Sequence, residues 1–330
     1  MEIHMQSEGR RAFLRGRRAP SSPWERFYTR LRNTVAGNVT MLETGSDRKA
    51  ARLDLKQPTD VHHALALCRE HGVCLALEGV PGTASQPGPV LWVRPGRDLA
   101  ACRRMEPGGS RWFVQPGCLL GELEAAGLTA FAGLPEHLTV AAWLADRNSC
   151  NWSTGHTAAS GVVHASALLS DGTSVSLGAF SADNRKALDT LRLQTLIPAL
   201  FTLSSSPEAA VCAERYDWPA RYRLDALMPA PGTTLNLAHL LLGHGGDLAW
   251  LEWVVIDERL ADPAAGAAAL PELPWADMAG YEGESGYSDY EGGSGPCEQV
   301  NLARAAQDVD AAMKRLFDPD GVFPHPGQLL

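Results

Sequence analysis

The run Leu77-Glu78-Gly79-Val80-Pro81-Gly82-Thr83-Ala84-Ser85 places small residues directly after the apolar stretch Val73–Leu77. A second apolar stretch, Arg111–Gln115, enters the turn Gln115-Pro116-Gly117 in the same way. Small residues let backbone N–H groups converge on one point, and converging N–H groups bind an anionic group such as a diphosphate. One residue opposes that chemistry: Glu78 sets a carboxylate at the loop entrance, where an anion calls for a base.

Other side chains offer different chemistry. His62, His63, Cys68, His71 and Cys74 supply metal-ligand types within a short stretch. A zinc site needs ligands that converge. Cys68 and His71 share a helix face, but Cys74 falls in the following strand and His63 does not face Cys68. No metal site is expected there. His156 and His164 flank Ala158-Ala159-Ser160-Gly161 and could supply a general base, although an isolated histidine is more often structural. The chain holds no Gly-x-Ser-x-Gly elbow, P-loop or Gly-x-Gly-x-x-Gly fingerprint. No catalytic residue is assigned.

Local elements must position these loops. Ser22-Pro23 opens a helix whose Trp24, Phe27 and Leu31 recur at helical spacing and which Gly37 is expected to end. Thr59-Asp60 is expected to cap a helix from Val61 to Glu70 that stops at Gly72. Val73–Leu77, Val90–Val93 and Arg111–Gln115 read as strands. Helices are expected after Asp98 and over Leu119–Ala126. Ala165–Leu177 reads as a hairpin around a two-residue Asp171-Gly172 turn with positive φ. Leu235–Leu242 reads as helical up to Gly243, Leu248–Ile256 as a strand, and Val300–Leu316 as a helix.

Bulk properties narrow the function. With 330 residues, 45% hydrophobic and 20% charged, the chain is globular and large enough for more than one lobe. A net charge of −9 argues against nucleic-acid binding. Cys68, Cys74, Cys102, Cys118, Cys150, Cys212 and Cys297 form an odd set without a Cys-x-x-Cys pair, which suggests reduced thiols and a cytoplasmic location. No apolar run reaches the roughly 20 residues needed to span a membrane. Gly9-Arg10-Arg11-Ala12-Phe13-Leu14-Arg15 has the look of a twin-arginine signal, but Gly16-Arg17-Arg18 follows where an apolar segment is required. Residues 1–21 therefore read as a flexible basic arm. Residues 261–299 carry eight acidic residues and no basic ones, with Tyr281, Tyr287 and Tyr290 among glycines, and read as a linker.

The order of these pieces resembles the FAD-linked oxidases with a vanillyl-alcohol-oxidase or PCMH-type flavin domain, a group similar to glycolate oxidase FAD subunits and D-lactate dehydrogenase-like proteins. Pro58-Thr59-Asp60-Val61 through Gly79-Val80-Pro81-Gly82-Thr83 looks like the family's helix, strand and Arg-Gly-Gly-Gly-Thr-Ser-like loop. Val114-Gln115-Pro116-Gly117 matches its Val-Gln-Pro-Gly turn. Gly243-His244-Gly245-Gly246-Asp247-Leu248 resembles its adenine-side Gly-Ser-Glu-Gly-Thr-Leu segment, and Phe317 to Gly327 its Phe-Asp-Pro tail. The resemblance covers residues 22–260 and the tail.

The resemblance implies an α+β fold: a two-lobed PCMH-type FAD-binding domain with a reduced or absent substrate cap. The expected parts are a first lobe over 22–95, a second over 96–260, the acidic stretch 261–299 in place of a cap, and a C-terminal helix and tail over 300–330 that return to the first lobe. It implies non-covalent FAD held by Gly79, Pro81, Gly82, Thr83, Ala84, Ser85, Gln115, Pro116, Gly117, Thr139, Ala141, Ala142, Gly243 and Gly246. The activity implied is that of a 2-hydroxy-acid oxidase or dehydrogenase, with a partner subunit supplying the substrate or electron-transfer site.

The departures from the family pattern define the alternative. Glu78 replaces Arg, and Thr139-Val140-Ala141-Ala142 replaces Thr-Ile-Gly-Gly, with Trp143 and Asp146 close by. A carboxylate about 5 Å from a phosphate at an effective dielectric near 20 costs about 3 kcal/mol, roughly a hundredfold in affinity. The alternative is a flavin-free relative acting as a scaffold or partner subunit.

Overall fold

A computed structural model describes residues 22–43, 49–80, 88–180, 188–266 and 296–325, with side chains from 301 onward in the last segment. The basic arm, Pro81–Ser85, and most of the acidic stretch with its three tyrosines lie outside the described residues.

The first sheet is built from the N-terminal segments. Helix α1 (Pro23–Thr34) starts where Ser22 caps it, its side chain accepting from the Glu25 N–H while the Glu25 carboxylate accepts from the Ser22 N–H. Trp24, Phe27 and Leu31 are buried along one face. Gly37 does not end this helix; it lies beyond it, where a Cβ would meet the Asp54 carbonyl at 2.3 Å. Strands β1 (Asn38–Leu42) and β2 (Ala50–Asp54) pair antiparallel. Helix α2 (Pro58–His71) starts three residues earlier than expected. Asp60 is not its cap but lies within its first turn, buried, accepting N–H groups from Ala36, Lys56 and Gln57. Gly72, at φ +64, ends the helix in the left-handed region. Strands β3 (Cys74–Leu77) and β4 (Val90–Arg94) complete a sheet of order β1-β2-β4-β3.

The second sheet begins with β5 (Cys102–Arg104) and β6 (Arg111–Val114). The helix expected after Asp98 is only a short turn, Arg97–Leu99. Two short helices follow, α3 (Leu120–Ala126) and α4 (Val140–Ala145), then the hairpin β7 (Val162–Leu168) and β8 (Ser174–Gly178). Its loop is longer than the two-residue turn expected: Leu169 N–H donates to Thr173 O at 3.0 Å, Asp171 accepts the Thr173 N–H, and only Gly172 takes a positive φ. Helices α5 (Leu191–Ser204) and α6 (Pro207–Ala213) precede β9 (Trp250–Asp257), which inserts between β6 and β7 to give the order β5-β6-β9-β7-β8. Residues 237–241 form a short 3-10 turn rather than a full helix.

A last short turn, α7 (Pro263–Gly266), and the long helix α8 (Pro296–Phe317) close the chain. Helix α8 packs on α5 and α6, and the tail that follows it reaches the first sheet. There the Leu75 N–H donates to the Val322 carbonyl at 2.8 Å, covering the free edge of β3. The α+β class and the two-sheet plan implied by the resemblance are what the structure has. Among the described residues no single helix is long and apolar enough to cross a membrane; the bent pair α5 and α6 meets the length and composition requirement only jointly.

Candidate functional site

Helix α4 is the hub of the expected cofactor residues. Thr139 caps it, its hydroxyl accepting from the Ala142 N–H at 3.2 Å. The Val140 N–H donates to Cys118 O at 2.8 Å, Ala141 to Pro116 O at 3.1 Å and Trp143 to Thr139 O at 2.8 Å. These bonds consume the donors that an anion would use at this end. At the other end the Gly243 N–H donates to Leu144 O and the Gly245 N–H to Ala145 O, both at 2.7 Å. The helix is therefore closed at both ends by the two loops expected to flank a ligand.

The glycines show the same closure. Gly79 has φ +94, and a Cβ there would lie 4.0 Å from the Ala142 Cβ, so the first loop and α4 face each other. Gly246, at φ +77, lies against Leu77, where a Cβ would come within 3.1 Å of the Leu77 Cβ. Leu77, Ala141, His244 and Gly246 line a cavity of about 10 Å³, room for about one water. Gly117 serves a different purpose: a Cβ there would meet Gly96 O at 2.5 Å and Leu99 O at 2.8 Å, so bare backbone is required by a neighbouring turn. Gln115 turns to the β5 edge, its side-chain oxygen accepting from the Ala101 N–H at 2.9 Å. The structure thus brings together Gly79, Pro116, Thr139, Ala141, Ala142, Gly243 and Gly246 around α4, and directs Gln115 and Gly117 elsewhere. Pro81, Gly82, Thr83, Ala84 and Ser85 fall outside the described residues.

The two acids that departed from the family pattern are both engaged. Glu78 pairs with Arg52 on β2. Asp146 accepts from Asn148 N–H at 3.1 Å and from Ser149 Oγ at 2.6 Å, at the far end of α4 from Thr139. The second oxygen of Glu78 is buried without a partner among the described residues. Trp143 stacks edge-on with Phe131, ring centres 4.8 Å apart.

Beneath the 243–247 loop lies a buried charge network that the sequence reading missed. Arg221 pairs with Asp247 at 2.5 Å. Lys314 donates to Asp318 and to Asp247 O, each at 2.6 Å. Arg223 and Asp225 form a wholly buried pair at 2.6 Å. Asp310 accepts the N–H groups of Arg221 and Tyr222, and burial pushes its carboxyl up to about 6. Burial pulls His244 down to about 3 and His239 to about 4. His244 Nδ1 has no partner among the described residues. The available signal was the spacing of Asp310, Lys314 and Asp318, four residues apart on one helix face.

The candidate metal ligands and bases are dispersed. His62 contacts Glu252 at 2.9 Å, and among the described residues no three His, Cys, Asp or Glu side chains converge as a metal site. His156 is exposed and bonds Thr154 O. His164 bonds Ser176 Oγ at 2.8 Å and stacks on Trp253, ring centres 5.2 Å apart. That stack, with Phe113, floors an open groove of about 830 Å³ across β6, β9 and β7.

No protein-family model matches this chain, and no curated protein matches it. Among solved structures it is similar to 4-ethylphenol oxidase from Gulosibacter chungangensis at 12% identity, covering 72% of this chain and 43% of that one, TM-score 0.42. A variant of Physcomitrella patens BBE-like 1 is similar at 10% identity over 70% of this chain and 44% of that one, TM-score 0.41. So is 6-hydroxy-D-nicotine oxidase from Arthrobacter nicotinovorans, at 11% identity over 68% and 42%, TM-score 0.39. The chain spans less than half the length of these proteins.

Proposed function

We propose that this chain keeps a two-lobed, flavoprotein-like architecture without the flavin and works as a scaffold or partner subunit. One observation carries the reading: five backbone donors at the two flanks of α4 already donate to main-chain carbonyls. Val140, Ala141, Trp143, Gly243 and Gly245 all donate to main-chain carbonyls, and Ala142 donates to Thr139. Seating a diphosphate there means breaking several of these bonds, and each buried group left without a partner costs about 1–3 kcal/mol. The described residues therefore do not fit the FAD diphosphate that the resemblance implies.

Two further features support the reading. The cavity at Ala141 and Gly246 has room for about one water. The open groove on the second sheet is rimmed by exposed apolar side chains, Met105 at 55% and Leu260 at 51% accessibility, as surfaces that meet partners are.

FAD titration tests this. The purified chain is expected to be colourless, with a melting temperature that does not move in excess FAD. A yellow protein, or a rise that grows with FAD concentration, overturns the reading, because a ligand of the native state must stabilise it.

A further inference from the structure

The outer face of the second sheet carries a row of rings. Phe113 and His164 both stand opposite Val255, on the strands either side of it, and Trp253 lies two residues along β9 on the same face. The Trp253 ring is 5.6 Å from Phe113 and stacks on His164 at 5.2 Å, with 19° between the planes. Gly178, opposite His164, makes room for this: a Cβ there would come within 2.6 Å of His164 Nδ1. Ser176 Oγ fixes the other ring nitrogen at 2.8 Å. Burial lowers the His164 pKa, so the imidazole is an uncharged member of the row at neutral pH.

Charge enters at the other end of the row. Arg103 stands opposite Phe113 in the β5–β6 register, its guanidinium 5.4 Å over the Phe113 ring. Arg111, two residues from Phe113 on the same face, lines the groove with its side chain 65% exposed. Two carboxylates lie close by. Asp257 is 3.7 Å from Arg111, beyond hydrogen-bond reach, and accepts the Arg259 N–H at 3.1 Å. Glu258 is held by Arg104 and by the Trp112 N–H, each at 2.9 Å. Among the described residues no carboxylate pairs with Arg103, which leaves it able to take one.

The geometry points to a binding site for a planar aromatic carboxylate of one or two rings, its ring against Phe113 and Trp253 and its carboxylate held by Arg103 and Arg111. Aromatic side chains take a flat π-system in offset or edge-on contact, and a guanidinium presents parallel N–H groups that match a carboxylate. The groove, at about 830 Å³, falls within the roughly 300–1,000 Å³ of small-molecule sites. It is separate from the seam at α4: Trp250 and Leu251 line the small cavity at the start of β9, whereas Trp253 and Val255 line the groove toward its end. The proposal goes beyond the scaffold reading and does not rest on it, since a ring on the floor leaves the Met105 and Leu260 rim to a partner.

Equilibrium dialysis of the full chain without flavin tests it, with 2-naphthoate and its neutral isostere 2-naphthamide as probes and cyclohexanecarboxylate as competitor. The wild type is expected to bind one naphthoate per chain and the amide about tenfold more weakly. Cyclohexanecarboxylate, an acid without a π-system, is expected not to displace naphthoate. Arg111→Gln is expected to bring acid and amide toward equal affinity, and Phe113→Leu to weaken both severalfold while keeping their ratio. No saturable naphthoate binding, equal affinity for acid and amide in the wild type, displacement by the aliphatic acid, or folded variants that bind as the wild type does would each overturn the proposal. The wild-type comparison decides the matter even if a variant misfolds. A chain that binds FAD and also shows this pattern overturns only the scaffold reading; a colourless chain without naphthoate binding overturns only this site.

Discussion

The Gly245 N–H donates to the Ala145 carbonyl at 2.7 Å, fastening the 243–247 loop to the last turn of α4. The loop can approach that closely because Gly245 has φ +68 and no Cβ. A Cβ there would lie 1.9 Å from Arg221 Nη2 and 3.0 Å from Asp247 Oδ2. Loop backbone and buried ion pair are thus packed on one another, and the first cannot change without moving the second.

Gly245→Ala is therefore expected to cost about 3 kcal/mol in urea denaturation, combining backbone strain with loss of the Arg221–Asp247 pair. In an Arg221→Ala background the same change is expected to cost only about 1 kcal/mol, the backbone share. Equal costs in the two backgrounds would show that the ion pair does not depend on the loop.

Thr139→Ala removes the acceptor of the Ala142 N–H and is expected to destabilise the fold by about 1 kcal/mol, while Thr139→Ser stays within a few tenths. The two variants differ in the hydroxyl, so denaturation midpoints separate the cap from side-chain packing. Indistinguishable variants would mean that the α4 start draws nothing from its own cap.

The sequence made the local punctuation legible. Ser22-Pro23 and Gly72 bound their helices as expected because capping is decided within a few residues. What it did not show was which way charged side chains point. Glu78 reads as a loop-entrance acid until Arg52, 26 positions earlier, is found beside it. Asp146 reads as an obstacle to a ligand until its partners Asn148 and Ser149 turn it to the far end of the helix. Gly117 reads as a ligand glycine, but the carbonyl that demands it belongs to Gly96. The convergence of Gly79, Ala142 and Gly246 was foreseeable from motif order; that the space between them is filled depends on hydrogen bonds across long sequence separations.

Asp310 gives the fold a pH dependence of definite sign. Its carboxyl is raised from the model-peptide value of 3.8 to about 6 by burial, so the folded chain keeps the proton longer than the unfolded one. The stability it contributes is full below about pH 4 and is lost as pH rises to about 6, a change of about 3 kcal/mol. Asp310→Asn stays uncharged, so its deficit relative to the wild type is expected to shrink by about 3 kcal/mol between pH 4 and pH 7. His239 and His244, held down at about 4 and about 3, act with the opposite sign: their share is present above about pH 6.5 and lost toward acid. They titrate in both proteins and cancel in the difference. Parallel curves for wild type and variant would remove Asp310 from the pH response.

Lys314 joins the long helix to the tail and to the site loop at once. Its ammonium donates to Asp247 O, to the Asp318 carboxylate and, at 3.3 Å, to Phe323 O. Asp318 in turn accepts the N–H groups of Val322 and Phe323, each at 2.9 Å. Lys314→Met fills the volume but leaves the buried Asp318 charge without its cation, a loss of about 3–5 kcal/mol. Adding Asp318→Asn neutralises that charge and is expected to recover part of the loss. Since the Leu75 N–H is held by Val322 O, the single variant is also expected to speed hydrogen exchange at Leu75, at the β3 edge. Unchanged exchange there, with stability lost, would place the effect of Lys314 in the 243–247 loop rather than in the tail.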